Sequence, residues 1–157
     1  MLPEGIRLRR ATPQDCDIIV HHRRCMFQDM GNGTDAELNA MVAATRPWLL
    51  EALANDSYHG WLVETSDSQV IAGGGILISS WPARPEDLNA RRALILNVYT
   101  EPDFRRKGLA RELMLLMIGW LREQGFHGVA LHASAEGRPL YESLGFQATN
   151  EMRLRLG

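Results

Sequence analysis

The sequence predicts an α/β fold in a single domain, residues 1–157, and three observations carry that expectation. Segments whose apolar residues alternate with period two are interleaved with segments whose apolar residues recur every three to four positions. The resulting order is βαα(α)ββ followed by βαβαβ, a mixture that neither an all-helical nor an all-strand domain produces. Length fits one such unit, because 157 residues match a single domain. Composition agrees: at 45% apolar and 23% charged, the chain can form a core without disulfide or metal staples, with roughly 8,000 Å² expected to stay exposed.

The first strand is IRLRR, Ile6 to Arg10, which alternates. Thr12, Pro13 and Asp15 then supply an N-cap, a first-turn proline and an early acid for a helix that ends near Gly31. Thr34 and Glu37 read as a capping box for a second helix, with Pro47 to Asn55 as its short continuation or as a third. From Gly60 the period becomes extended. WLVET, a polar turn at SDSQ and VIAGGGILISS form a β-hairpin, and Gly73, Gly74 and Gly75 inside its second strand predict a bulge or a close backbone approach.

After the loop WPARPEDLNAR, Ala93 to Thr100 is a near-continuous apolar strand, expected at the centre of the sheet. Apolar residues at 109, 113, 116, 117, 120 and 121 form a helical stripe, and Gly125 ends that helix. Val129 to Ala133 is the next strand, Pro139 to Leu144 a short helix, and Met152 to Leu156 (MRLRL) alternates as a last strand.

Several function classes are disfavoured before any motif is considered. A net charge of −2 gives no global field for nucleic acid or an anionic membrane, so any anion site must be local. Leu113 to Leu121 is an apolar run of only nine residues, about half of a bilayer span. The charged start MLPEGIRLRR is unlike a secretion signal, and the expected location is cytoplasmic. Cys16 and Cys25 fall on one predicted helix about 13.5 Å apart along its axis, so they cannot bridge each other. Neither His21 with His22 nor His127 with His132 has ligand geometry, and no metal is expected. The phosphate loop GxxxxGK[ST], the dinucleotide motif GxGxxG and the nucleophile elbow GxSxG are absent.

The segment that carries chemistry is NVYTEPDFRRKGLARELM, Asn97 to Met114. A strand that turns through Arg105, Arg106, Lys107 and Gly108 directly into a helix presents free backbone N–H groups at the helix start, where the helix dipole and the basic side chains add positive potential. A phosphate or pyrophosphate fits such a turn. The same residues also read as a solvated basic turn, and a turn of that kind serves a nucleic acid or an acidic protein partner.

RRKGLA, Arg105 to Ala110, fits the pattern [RQ]-x-x-G-x-[GA], and LYESLGF, Leu140 to Phe146, fits L-Y-x-x-x-G-F. With both strings at this spacing and in this element order, the chain resembles the GNAT superfamily of acetyl-CoA-dependent N-acetyltransferases. The resemblance implies a mixed sheet of six or seven strands flanked by helices. It also implies that the strand holding Val98, Tyr99 and Thr100 splays from the one holding Leu131 to Ala133, with the pantetheine arm in the wedge. The pyrophosphate falls to the N–H groups of Arg106 to Ala110, so that Arg105, Arg106, Lys107, Gly108, Leu109, Ala110 and Arg111 are the expected cofactor-binding turn.

Tyr141 matches the family's tyrosine near the thioester sulfur, where a phenol can protonate the departing thiolate. The amino-terminal helices, which shape the acceptor pocket in the superfamily, carry no family signature. Two departures stand out. Ser134 takes the cofactor-side position where many members have asparagine, and Gly137 stands where alanine is usual. The strand Ala93 to Tyr99 lacks the glutamate base that several members place there, and Asn97, its only amide, shares a face with Tyr99 and is the candidate to orient the acceptor amine or a water. Asp29, Glu37 and His59 are the candidates for the missing base.

The implied activity is transfer of an acetyl group from acetyl-CoA to a primary amine on a small molecule or peptide, without metal, membrane or nucleic acid. A homodimer is compatible with the family. The alternatives are a CoA-binding module without catalysis and an interaction domain built on the basic turn.

Overall fold

The caps and periodicities are realised in a computed structural model that describes residues 2–157. Strand β1 (Ile6–Arg10) is followed by a 3₁₀ turn at Pro13–Asp15, with Asp15 Oδ2 accepting from the Thr12 N–H at 2.8 Å. Helix α1 (Cys16–Asp29) ends where Gly31 adopts φ +67°, and bonds from the Gly31 and Asn32 N–H groups to the Gln28 and Phe27 carbonyls close its last turn. Helix α2 (Asp35–Ala54) begins at the expected capping box: Thr34 Oγ1 accepts from the Glu37 N–H at 3.2 Å, and Glu37 Oε1 from the Thr34 N–H at 3.0 Å. It is one continuous helix, so of the two readings of Pro47 to Asn55 the continuation holds and the third helix does not. The Cys16 thiol of α1 donates to the Arg46 carbonyl, beside the proline, at 3.4 Å.

Strands β2 (Tyr58–Thr65), β3 (Val70–Ser80) and β4 (Arg91–Thr100) follow β1 in an antiparallel succession, each paired with the one before it. Helix α3 (Leu109–Glu123) returns the chain to β5 (Ala130–Leu131), which pairs parallel to β4, and α4 (Arg138–Ser143) follows. Gly125, at φ +81°, closes α3 as expected, with Gly125 bonded to Arg122 and Phe126 to Leu121.

The sheet has five strands in the order β1-β2-β3-β4-β5, rather than six or seven. Of the six strands read along the chain one is missing, and another is cut short. Val129 to Ala133 shrinks to the two residues of β5, and Met152 to Leu156 forms none. Alternation specifies a face but not a partner, and a two-residue β5 offers almost no edge on which a further strand could build. Met152, Leu154 and Leu156 are accordingly 94%, 81% and 87% exposed. This tail, with an open cleft, helps to raise the total accessible surface to 10062 Å², above the value expected for a closed globule of this mass.

The sheet separates two apolar layers. On one face α3 sets Leu113, Met114, Met117 and Leu121 against Trp61, Val63, Ile71, Ile76, Ala93 and Ile95. On the other, α1 and α2 set Ile19, Val20, Leu49 and Leu53 against Tyr58 and Leu62. Glu64, buried at the β1 edge, is satisfied by Arg9 and Arg7, and the Arg9 hydrogen bond in particular holds its carboxyl below the usual range.

Candidate active site

The site begins at an irregularity in β4. Gly75 pairs with Leu96 and Gly73 with Tyr99, so Asn97 and Val98 together face Gly74. The extra residue of this bulge lies in β4, opposite the glycine run rather than inside it as expected, and Asn97 absorbs it at φ +59°, a left-handed conformation asparagine tolerates better than most residues. Its consequence is a change of face. Before the bulge Ala93 and Ile95 point to α3, whereas after it Asn97 and Tyr99 point to α1 and Val98 packs on the α3 side.

Along its other edge β4 pairs with β5 only at Leu94↔Ala130 and Ile95↔Leu131. Beyond those two pairs the ladder ends, which is the expected splay. The opening is a cleft of about 1120 Å³ whose lining includes Asn97, Val98, Tyr99 and Thr100 from β4, Leu131 to Ser134 beyond β5, and Tyr141 from α4. Of the predicted site residues the lining also includes Arg105, Arg106, Gly108, Leu109, Ala110 and Arg111. Lys107 is not part of it, and its ammonium lies 5.4 Å from the Phe104 ring centre.

At the far end of the cleft the turn into α3 winds through two left-handed residues, Arg106 at φ +61° and Gly108 at φ +79°. No backbone acceptor among the described residues takes the N–H groups of Arg106 to Arg111, while Phe104 and Arg105 bond back to Glu101 and Pro102. That row of free donors at a helix start fits a pyrophosphate. Leu109 contributes through its backbone, since its side chain is buried in the core beside Leu113.

The Arg105 guanidinium is committed elsewhere. It donates to the Thr100 carbonyl and to Asp29 Oδ2, both at 2.8 Å, and packs over Tyr99, so it ties the turn to the end of α1. Arg111 donates to Ser143 Oγ at 3.3 Å, joining α3 to α4.

Tyr141 is half-buried and its ring packs edge-on to Phe146 at 6.0 Å. Its hydroxyl has no hydrogen-bond partner among the described residues, and burial raises the phenol pKa, so the group is protonated at neutral pH. Gly137 explains one departure from the family pattern. A Cβ there would stand 2.8 Å from Tyr141 Cε2, so glycine leaves room for this placement of the ring. Ser134 Oγ accepts from the Gly137 N–H at 3.1 Å and thereby starts α4.

Asn97 is 3% exposed and both ends of its amide are engaged. Nδ2 donates to the Tyr58 hydroxyl at 3.1 Å, and Oδ1 accepts from Arg23 Nη1 at 2.9 Å. Each end has one further bonding position, but at 3% exposure the amide is closed to an acceptor amine unless the site rearranges. Among the candidates for the base, Glu37 is occupied in the α2 cap, and His59 lies beside Trp120 and Arg10. Asp29 alone reaches the cleft, paired with Arg105. Beneath Tyr99 the buried His22 ring, 5.2 Å from it, leaves Nε2 without a hydrogen bond, 4.0 Å from Glu101 Oε1, and desolvation lowers its pKa to about 4.

Arg23, Tyr58 and Trp48 were not singled out by the sequence. The available signal was in α1, where Cys16, Ile19, Val20 and Phe27 form the inward stripe and Arg23 occupies a position on it. Among the described residues no helix is long and apolar enough to cross a membrane, and no group of three His, Cys, Asp or Glu side chains could hold a metal ion.

A splayed parallel strand pair that opens onto a donor-lined turn and a free phenol defines an acyl-transferase type of cleft. Comparison with known proteins agrees: the chain belongs to the Acetyltransferase (GNAT) family, whose model matches residues 20–146. It is 28% identical over 148 residues to the uncharacterized N-acetyltransferase YjgM of Escherichia coli K12, covering 92% of this chain and 84% of that protein. A GCN5-related N-acetyltransferase from Ralstonia eutropha JMP134 superposes with a TM-score of 0.91 at 34% identity, covering 97% of this chain and 99% of that one. A predicted acetyltransferase from Clostridium acetobutylicum, solved with acetyl-CoA, gives 0.85 at 28% identity, covering 97% and 96%.

Proposed function

We propose that the protein transfers the acetyl group of acetyl-CoA to a primary amine by direct attack. The observation that carries this reading is the continuity of the cleft, which runs from the free N–H groups after Arg105, along the unpaired edge of β4, to the unpartnered hydroxyl of Tyr141. The N–H groups of Arg106 to Ala110 hold the pyrophosphate, and the backbone of Val98, Tyr99 and Thr100 together with the Ser134 side holds the pantetheine arm. The acceptor nitrogen, entering uncharged, forms a bond to the thioester carbonyl carbon, and the backbone N–H near Val98 steadies the oxygen as it gains charge. The C–S bond then breaks. Tyr141 gives its proton to the departing sulfur, the new amide nitrogen loses one to water, and the phenolate regains its proton from solvent.

An assay of released CoA thiol with a panel of primary amines tests this reading. The expected result is release that depends on an amine and rises with pH as the amine loses its proton. Release indifferent to every amine would favour the CoA-binding module instead.

A further inference from the structure

Arg23 projects from the inward stripe of α1 into the end of the cleft that lies between the two amino-terminal helices and β4. Its guanidinium is held by two contacts: Nη1 donates to Asn97 Oδ1, and the group lies 5.0 Å from the Phe27 ring centre. Asn97 is itself fixed from behind by the buried Tyr58 hydroxyl. No carboxylate of the described residues pairs with Arg23; of the other arginines lining the cleft, Arg105 pairs with Asp29 and Arg153 with Glu151, while Arg106 and Arg111, which pair with none, stand at the α3 turn, away from the acceptor end. The remaining guanidinium donors are not buried orphans, so they open on the cleft they line. A half-buried arginine that has lost water without gaining an anion is a site prepared for one, and desolvation lowers its pKa without removing its charge.

We infer that Arg23 receives a carboxylate of the acceptor, so that the substrate is an amino-acid-like amine carrying an apolar or aromatic group. This rests on the acetyltransferase reading and names the substrate class of the same cleft. A single guanidinium neutralises the single charge of a carboxylate and matches its two oxygens, whereas a phosphate dianion would call for a second free cation here. Met26, Phe27, Trp48 and Leu77 supply the apolar walls. Asn97 acts as a positioning residue that fixes the fork before the ligand arrives, which lowers the ordering cost on binding.

Two probes of nearly equal shape isolate the charge. 3-Phenylpropionate and 3-phenylpropanamide are titrated into the acetyl-CoA-loaded protein and followed by calorimetry, with phenyl phosphate as a third arm. Wild type is expected to bind the carboxylate about 10-fold to 100-fold tighter than the amide, the range of charge-assisted hydrogen bonds. Arg23→Gln should remove that preference with acetyl-CoA affinity unchanged, and Arg23→Lys should keep part of it. Equal affinity for carboxylate and amide, no measurable carboxylate binding, a preference surviving in Arg23→Gln, or tighter binding of phenyl phosphate would each overturn the inference. Failure of the acetyl-CoA reading is seen separately, as the absence of heat when acetyl-CoA is loaded.

Discussion

Replacing Tyr141 by phenylalanine is expected to slow amine-dependent acetyl transfer by roughly 10²-fold to 10⁴-fold, the range for a well-placed general acid. The substitution keeps the ring that packs on Phe146 and crosses Gly137, so it removes only the hydroxyl that faces the cleft. Acetyl-CoA affinity should change little if, as proposed, the pyrophosphate is held at the start of α3. The loss is bounded because a thiol with an ordinary pKa of about 8.5 leaves tolerably well near neutrality without help. The pH profile supplies a second check. Burial raises the Tyr141 pKa, so the acid form persists beyond its ordinary value, and no falling limb from this group is expected below about pH 10. An unchanged rate in Tyr141→Phe would keep the enzyme and remove this residue from its mechanism.

Gly75→Ala is expected to produce the largest loss of stability among single-methyl additions in β3. A Cβ at 75 would fall 2.0 Å from the Tyr58 hydroxyl and 2.2 Å from Cζ, and Tyr58 is 2% exposed between α2 and the sheet. The ring has nowhere to go. Overpacking of this kind costs about 3 kcal/mol or more, equivalent in a domain of this size to a fall in Tm of about 6 to 12 °C. Displacing Tyr58 also removes the bond that holds Asn97, so acceptor KM should rise together with the loss of stability. Gly74→Ala is the control, since its Cβ would meet the flexible thioether end of Met117 at 3.0 Å and Val98 Cγ2 at 3.4 Å rather than a rigid ring, and it should cost less than about 1 kcal/mol. Equal Tm changes in the two variants would contradict the close approach assigned to Tyr58.

Those two predictions draw on features that the sequence made visible to different degrees. The turn into α3 was readable because its signal is local: a glycine that must take positive φ, a proline ahead of it and a helical stripe behind it occupy consecutive positions. Tyr141 was found only through the resemblance of LYESLGF to the family's closing motif. The glycine run predicted an irregular strand, yet which glycine faces Tyr58 depends on the register of β2 against β3, and register is a long-range property. The tail misled for a related reason, since MRLRL alternates as a strand does while the edge it would need is almost absent. Arg23 stayed hidden because its meaning lies in a missing partner, and only the folded arrangement of α1 against β4 reveals that no carboxylate is near. Asn97 was expected to face the substrate directly. It shares the face of Tyr99 as predicted, but the bulge that turns it there also places it between Tyr58 and Arg23.

The central claim is that acetyl-CoA lies along β4 with its pyrophosphate on the turn before α3. Titration calorimetry with acetyl-CoA and with S-acetylpantetheine, which keeps the thioester and the arm but lacks the pyrophosphate, tests it most directly. Wild type is expected to bind acetyl-CoA at least about 100-fold tighter, because several N–H groups at a helix start and the adjoining cations act on the pyrophosphate together. Arg106→Glu, which sets a negative charge beside the free N–H groups, should erase much of that difference. Equal affinity of the wild-type protein for the two ligands would contradict the account.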